Sequence, residues 1–252
     1  MSAAPPAGLL EQSAPRPPRS HVPTVSLNDT LAADRAEVDI VLRGALDSEV
    51  ALIRQVAAHI IGSGGKRLRP ALVIMAARAC GYEGRAHFTL AAVVEMIHTA
   101  TLLHDDVVDE SKLRRGVATA NATFGNAASV LVGDFLYSRA FQLMVGVGSM
   151  RVLEILSNAT NVIAEGEVLQ LMNSGDPALL EDAYLGVIRR KTAKLFEAAA
   201  ELGAVIGNAS PARAQSLARV RPRGRAGQEE GRRSTGRDIR SGPSGVHSCT
   251  RS

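Results

Sequence analysis

The sequence has no tryptophan, and its five phenylalanines and three tyrosines make up only 3% of 252 residues. That scarcity, with Ala, Leu, Val and Ile dominant, leans the composition towards helix. The two cysteines, Cys80 and Cys249, are far apart and form neither a disulfide framework nor a zinc-ligand pattern. No run approaches the roughly 18 consecutive apolar residues of a membrane span, which predicts a soluble, cytoplasmic protein. The formal net charge of +4 is unevenly spread. Residues 211–252 hold ten arginines against three acids, whereas residues 1–210 are net acidic by three charges. The basic pI therefore belongs to one end of the chain, and no nucleic-acid partner is inferred from it.

What the sequence does have is alanine, leucine, valine and isoleucine at helical spacing. Three regions follow. Residues 1–25 are rich in Pro, Ala and Ser without a periodic pattern and read as a disordered leader. Arg16 and Arg19 allow a transit peptide, but the prolines oppose an amphipathic helix. Residues 26–210 place apolar residues three and four apart almost throughout, which predicts an all-α domain with no convincing strand. Helical stretches are expected over 31–61, from Pro70 to Gly81, over 88–110, 128–146, 150–175 and 180–207. Residues 211–252 contain four Leu, Ile, Val or Phe residues, too few to offset the entropy of ordering, show no helical periodicity beyond "ARAQSLARV", and are expected to be disordered.

Chemistry concentrates in "HTATLLHDDVVDESKLRRG", residues 98–116. Asp105 and Asp109 are four apart and share a helix face, while Asp106 is turned by about 100°. Two carboxylates one turn apart suit a hard divalent cation such as Mg²⁺, which binds one or two carboxylates and completes its shell with water and phosphate oxygens. His98 falls near the same face. The alternative is a solvated helix end with Arg114 and Arg115 as charge partners. Against it, the apolar run before the acids implies burial, and buried carboxylates need a partner.

A second cluster is "GSGGKRLRPAL", residues 62–72. Its glycine-rich bend delivers Lys66, Arg67 and Arg69 to a helix N-terminus, where cations are unfavourable unless an anion sits among them. A phosphate resolves the conflict; an exposed basic turn is the bland alternative. A weaker third cluster, "RRKTAK" at 189–194, offers Lys191 and Thr192. Together they ask for a diphosphate between metal and cations. A phosphohydrolase would want more His and Asp ligands than are found.

The stretches "GGKRLRP", "EMIHTATLLHDDVVDESKLRRG", "TANATFGNAASVLVGDFLYSRAFQLM", "EGEVLQLMN" and "KTAKLFEAAAELGA" resemble the trans-polyprenyl diphosphate synthases, nearest to the bacterial octaprenyl type, over about residues 30–209. The resemblance implies an all-α isoprenoid-synthase bundle around a central cavity, usually a homodimer. It would extend an allylic diphosphate with isopentenyl diphosphate into an all-trans chain for quinone side chains. It also implies that Asp105 and Asp109 hold Mg²⁺ with Asp106 in support, that Arg114 and Arg115 grip the allylic and isopentenyl diphosphates, and that Lys66, Arg69 and His98 complete the isopentenyl site, with Arg67 in the same cluster. Lys191 and Thr192 match positions near the allylic diphosphate. Ala100 and Thr101 would set the pocket floor, and their small size implies a product of about eight to ten isoprene units.

The pattern departs from that family in one respect. A second aspartate-rich motif is expected, yet after Asp109 the only aspartates are Asp134, Asp176, Asp182 and Asp238, none paired at helical spacing. The expectation is a C-terminal part replaced by a shifted reading frame, hence a truncated bundle of impaired activity. The alternative is a non-catalytic partner of a full-length synthase.

Overall fold

The computed structural model describes residues 31–62, 65–174 and 179–219. The expected leader, and the expected tail from residue 220, lie outside them.

The first helices are α1 (Ala32–Ala45) and α2 (Ala51–Gly62). The expected continuous stretch over 31–61 is thus two helices. The polar run Asp47-Ser48-Glu49 interrupts it, and the Ser48 hydroxyl takes the amide of Val50 at 3.2 Å. A side-chain acceptor here competes with the helical backbone partner. Asp34 near the start of α1 and Arg43 near its end match the helix dipole.

Helix α3 (Leu68–Ala79) starts two residues before Pro70, which sits in the first turn, where its missing N–H is not needed. Its end is a Schellman motif. Gly81 adopts φ 75°, its amide donates to Arg78 O at 2.9 Å, and Tyr82 N donates to Ala77 O at 3.0 Å.

Helix α4 (Ala86–Val108) is the centre of the core, with Leu90 through Val94 all fully buried. It is the one described helix long and apolar enough, by length and composition, to cross a membrane, although Glu95, His98 and Thr99 interrupt its apolar run. Most of that apolar length is buried inside the fold, as in the core helix of a bundle.

After α4 the chain makes a ribbon that sequence periodicity did not predict. β1 (Leu113–Arg114) pairs antiparallel with β2 (Val117–Ala118), with Arg114 opposite Val117. Arg115 and Gly116 form the two-residue turn at φ 54° and 81°, the positive values a tight hairpin favours. Two residues per strand are too few to show alternation.

Five more helices follow before the last one: α5 (Ala120–Phe124), α6 (Asn126–Gly146), α7 (Met150–Met172), α8 (Glu181–Ile188) and α9 (Lys194–Ile206). Ser129 of α6 ties it to α4 by donating to Leu103 O at 3.0 Å. Between α8 and α9, Arg189–Ala193 form a π-helical turn, so the expected single helix over 180–207 carries a bulge. Gly166 of α7 permits this turn to approach, since a Cβ there would lie 2.9 Å from Lys191 N. Against the far side of α9, Gly203 lies over the backbone of α3, where a Cβ would come within 2.4 Å of Val73 O.

The boundary expected at residue 211 is corrected. Pro211–Ala218 form α10, with Ser210 as N-cap and Pro211 in the first turn. Arg213 anchors it by donating to Ala79 O at 2.7 Å, and Ala214 is buried. Good capping and one small buried residue suffice where bulk apolar content is low.

Candidate functional site

The C-terminal end of α4 presents different chemistry on two sides. Asp106 is buried and points towards the hairpin. Arg114 donates to it from Nε, 3.1 Å from both carboxylate oxygens, and from Nη2, 2.7 Å from Oδ1. This fork-on-fork pairing holds the Arg114 charge firmly, and the Asp106 hydrogen bond raises its pKa further. The intervening loop is pinned from α5 and its cap. Asn121 Nδ2 donates to Asp106 O at 3.0 Å and to Ser111 O at 3.2 Å, and Thr119 Oγ1 donates to Ser111 O at 2.7 Å.

On the other side, Asp105 faces α7 and the π-helical turn. Lys191 Nζ lies 3.0 Å from Asp105 Oδ2 and 2.6 Å from Glu167 Oε2. Burial pushes the Glu167 carboxyl up to about 7; the Lys191 hydrogen bond opposes this and the Asp105 charge adds to it. Burial opposes the Lys191 charge, yet Glu167 and Asp105 hold its pKa above the ordinary lysine value. Tyr137 of α6 is pushed up by burial and then by the charges of Glu167 and Asp105. Asp109 caps α4 one turn beyond Asp105, its amide donating to Asp105 O at 2.8 Å, and is exposed. Thr192 lies half-buried in the same turn as Lys191.

The oxygen donors on this face suit a hard cation. Among the described residues no three His, Cys, Asp or Glu side chains cluster into a metal cage. A Mg²⁺ ion on Asp105 and Asp109 would have to take its other ligands from water and phosphate. The ammonium of Lys191 beside Asp105 shows that the position favours positive charge.

The basic residues of the glycine-rich bend line a separate cavity of about 660 Å³ with His98, Arg114 and Arg115. Arg69 is only 8% exposed, and its guanidinium lies 4.4 Å from the centre of the Phe196 ring. Arg115 packs against Gly65, where a Cβ would lie 3.1 Å from Nη1. Lys66 is exposed, and its carbonyl accepts from Arg35 at 3.1 Å. Arg67 caps α3 at φ 45°, in the left-handed region. Its guanidinium is forked between two carboxylates, Nη2 lying 3.3 Å from Asp39 and Nη1 3.9 Å from Glu95. The clash between cations and helix dipole anticipated from the sequence is thus partly relieved from within. Burial raises the Glu95 carboxyl pKa, with Arg67, Arg69 and Arg115 opposing and Asp39 adding.

The structure thus gathers Lys66, Arg67, Arg69, His98, Arg114 and Arg115 around one cavity, whose wall includes Asp106 but not Asp105, Asp109, Lys191 or Thr192. Ala100 is fully buried in the core, while Thr101 is half-buried with its hydroxyl on His98 O at 2.8 Å. Four residues were not anticipated: Asp39, Glu95, Asn121 and Glu167. Only Glu95 left a legible signal, a lone acid inside the apolar run "AAVVEMI".

The polyprenyl synthetase family model matches residues 50–224. The chain is 58% identical over 191 residues to octaprenyl diphosphate synthase of Escherichia coli, covering 76% of this chain and 59% of that protein. It is 50% identical over 177 residues to all-trans-nonaprenyl-diphosphate synthase (geranyl-diphosphate specific) of Rhodobacter capsulatus, covering 70% of this chain and 54% of the relative. The crystal structure of a polyprenyl synthase from Caulobacter crescentus, complexed with calcium and isoprenyl diphosphate, superposes with a TM-score of 0.75 at 52% identity. That match covers 76% of this chain and 58% of that one. The chain therefore spans less than two thirds of the length of these relatives.

Proposed function

We propose, from the premise that this chain belongs to the polyprenyl synthetase family, that it carries one wall of a prenyltransferase site. The reaction is the head-to-tail addition of isopentenyl diphosphate to an allylic diphosphate. The observation that carries this reading is the Asp106–Arg114 pair, which stands between a carboxylate face and a basic cavity.

Lys66, Arg69, His98 and Arg115 receive the isopentenyl diphosphate, and Arg67 supports them from behind. Arg114, Lys191 and Thr192 face the allylic diphosphate, with Arg114 held in register by Asp106. Mg²⁺ held by Asp105 and Asp109 would supply Lewis-acid stabilisation of negative charge on the leaving diphosphate. The cations of the chain stabilise the same charge as the allylic carbon–oxygen bond breaks. The isopentenyl double bond then attacks the allylic carbon, and loss of a proton restores an alkene. Aliphatic walls such as Leu102, Leu103 and Leu136 keep water from the reacting carbon.

Thr101 and Ala100 are small, which supports a long product of about eight to ten isoprene units, suited to a quinone side chain such as that of ubiquinone. The burial of α4 supports a water-soluble, cytoplasmic enzyme. The outward row Leu131, Phe141 and Val145 on α6 supports pairing with a second copy. The same exposed faces keep a second reading in play, a non-catalytic partner of a full-length synthase.

The polypeptide of this sequence is assigned weak turnover, because it offers a single pair of aspartates at helical spacing. Incubation with Mg²⁺, an allylic diphosphate and labelled isopentenyl diphosphate is expected to give at most trace long-chain product. Robust synthesis contradicts the impairment; co-purification with a complete homologue that gains activity favours the second reading.

A further inference from the structure

We infer that Glu95 is a positioning residue that acts as the internal counter-anion of the basic cavity, and that it takes up a proton when a diphosphate enters. The inference rests on reading this cavity as a diphosphate site.

The geometry sets the balance. Five permanent cations, Lys66, Arg67, Arg69, Arg114 and Arg115, line the cavity. Among the described residues three carboxylates face them: Asp106 and Glu95 in the wall, and Asp39 of α1 paired with Arg67. His98 and His59 are the other titratable groups in the lining, and α9 contributes only the neutral ring of Phe196. A diphosphate brings more negative charge than this small cationic excess, so its arrival makes one of the carboxylates redundant.

The three are not equivalent. Asp106 is committed to Arg114 by three hydrogen bonds. Asp39 sits behind Arg67, on the side away from the cavity lining. Glu95 stands in the wall, its side chain only 17% exposed and its nearest guanidinium nitrogen 3.9 Å away. It loses least by giving up its charge, and burial already favours its neutral form. The step is a simple protonation: solvent supplies the proton, a Glu95 carboxylate oxygen receives it, and the guanidiniums that faced Glu95 turn their charge to the ligand. Because the bound state then holds more protons than the free state, linkage requires affinity to rise as pH falls through the window between the two Glu95 values. Glu95 thereby keeps mutually repelling arginines together in the empty cavity without competing for the ligand.

The test is calorimetric titration of the purified chain with isopentenyl diphosphate near pH 7, in buffers of different ionisation enthalpy, on wild type and Glu95→Gln. Proton exchange by the ligand and by His98 is common to both. Net uptake in wild type should exceed that in Glu95→Gln by on the order of half a proton per site. An infrared difference spectrum of the wild type should show a protonated carboxyl appearing on binding, which keeps the inference testable if Glu95→Gln does not fold. Equal proton exchange in both proteins, or no new carboxyl signal, overturns the role of Glu95 while leaving the diphosphate site standing. Absence of any binding by the wild type overturns both.

Discussion

Arg114 and Asp106 meet as a two-pronged pair, with Arg114 Nη2 2.7 Å from Asp106 Oδ1 and Nε 3.1 Å from each carboxylate oxygen. They are eight residues apart in sequence, on a helix and on a hairpin, so the pair fixes one element against the other. Replacing Asp106 with alanine leaves a half-buried guanidinium without its carboxylate. The expected loss is about 1–3 kcal/mol in unfolding free energy, together with roughly tenfold weaker diphosphate binding. Urea denaturation and calorimetry check the two effects. Wild-type affinity in Asp106→Ala would show that Arg114 needs no orienting partner.

Helix α9 can approach α3 only because residue 203 has no side chain. A Cβ there would lie 2.4 Å from Val73 O and 2.7 Å from Ala77 N, both backbone atoms that cannot swing aside. Gly203→Ala should lower stability by about 1–3 kcal/mol. Gly186→Ala is the control: its nearest neighbour would be a flexible guanidinium nitrogen at 3.4 Å. With backbone strain absent and helix propensity improved, it should be neutral or stabilising by up to about 1 kcal/mol. Equal melting shifts for both variants would contradict the packing account.

Glu167 makes the fold lose stability as pH rises from about 4.5 to about 7. Its folded value, about 7, lies above the unfolded value near 4.5, so the folded state binds the extra proton. Stability from this group is fully present below about pH 4.5 and is lost as pH rises through about 7. Allowing for solvent screening at this half-buried site, the change is on the order of 1 kcal/mol. Denaturation of the metal-free chain between pH 5 and 8 should show the decline, and Glu167→Gln should flatten it. An unchanged slope in the variant would assign the effect to other groups.

Much of this architecture is legible in the sequence, for identifiable reasons. The all-α class follows from apolar residues spaced three and four apart. The cluster of Lys66, Arg69, His98, Arg114 and Arg115 is legible because each sits in a short, charge-dense motif and burial leaves few ways to satisfy such charges. The ribbon carrying Arg114 is not legible, because two residues per strand give no alternation. The π-helical turn is not legible either: it packs closely on Gly166 of another helix, an approach that no local pattern reports. Glu167 and Asn121 escape notice for a similar reason. Each looks like an ordinary polar residue until tertiary packing sets it beside Asp105 or the backbone of Asp106. Helix α10 shows the opposite error, where low apolar content suggested disorder but Ser210, Pro211 and Arg213 suffice to cap and anchor two turns.

The proposed chemistry has the basic cavity lined by Arg114 receive a diphosphate while Asp105 and Asp109 serve the opposite face. Equilibrium binding of labelled isopentenyl diphosphate to the wild type and to Arg69→Met, each with and without Mg²⁺, tests it most directly. The wild type should bind saturably without Mg²⁺, and binding should fall at least about tenfold in Arg69→Met with the fold retained by circular dichroism. Binding that depends wholly on Mg²⁺ and is indifferent to Arg69 would contradict it.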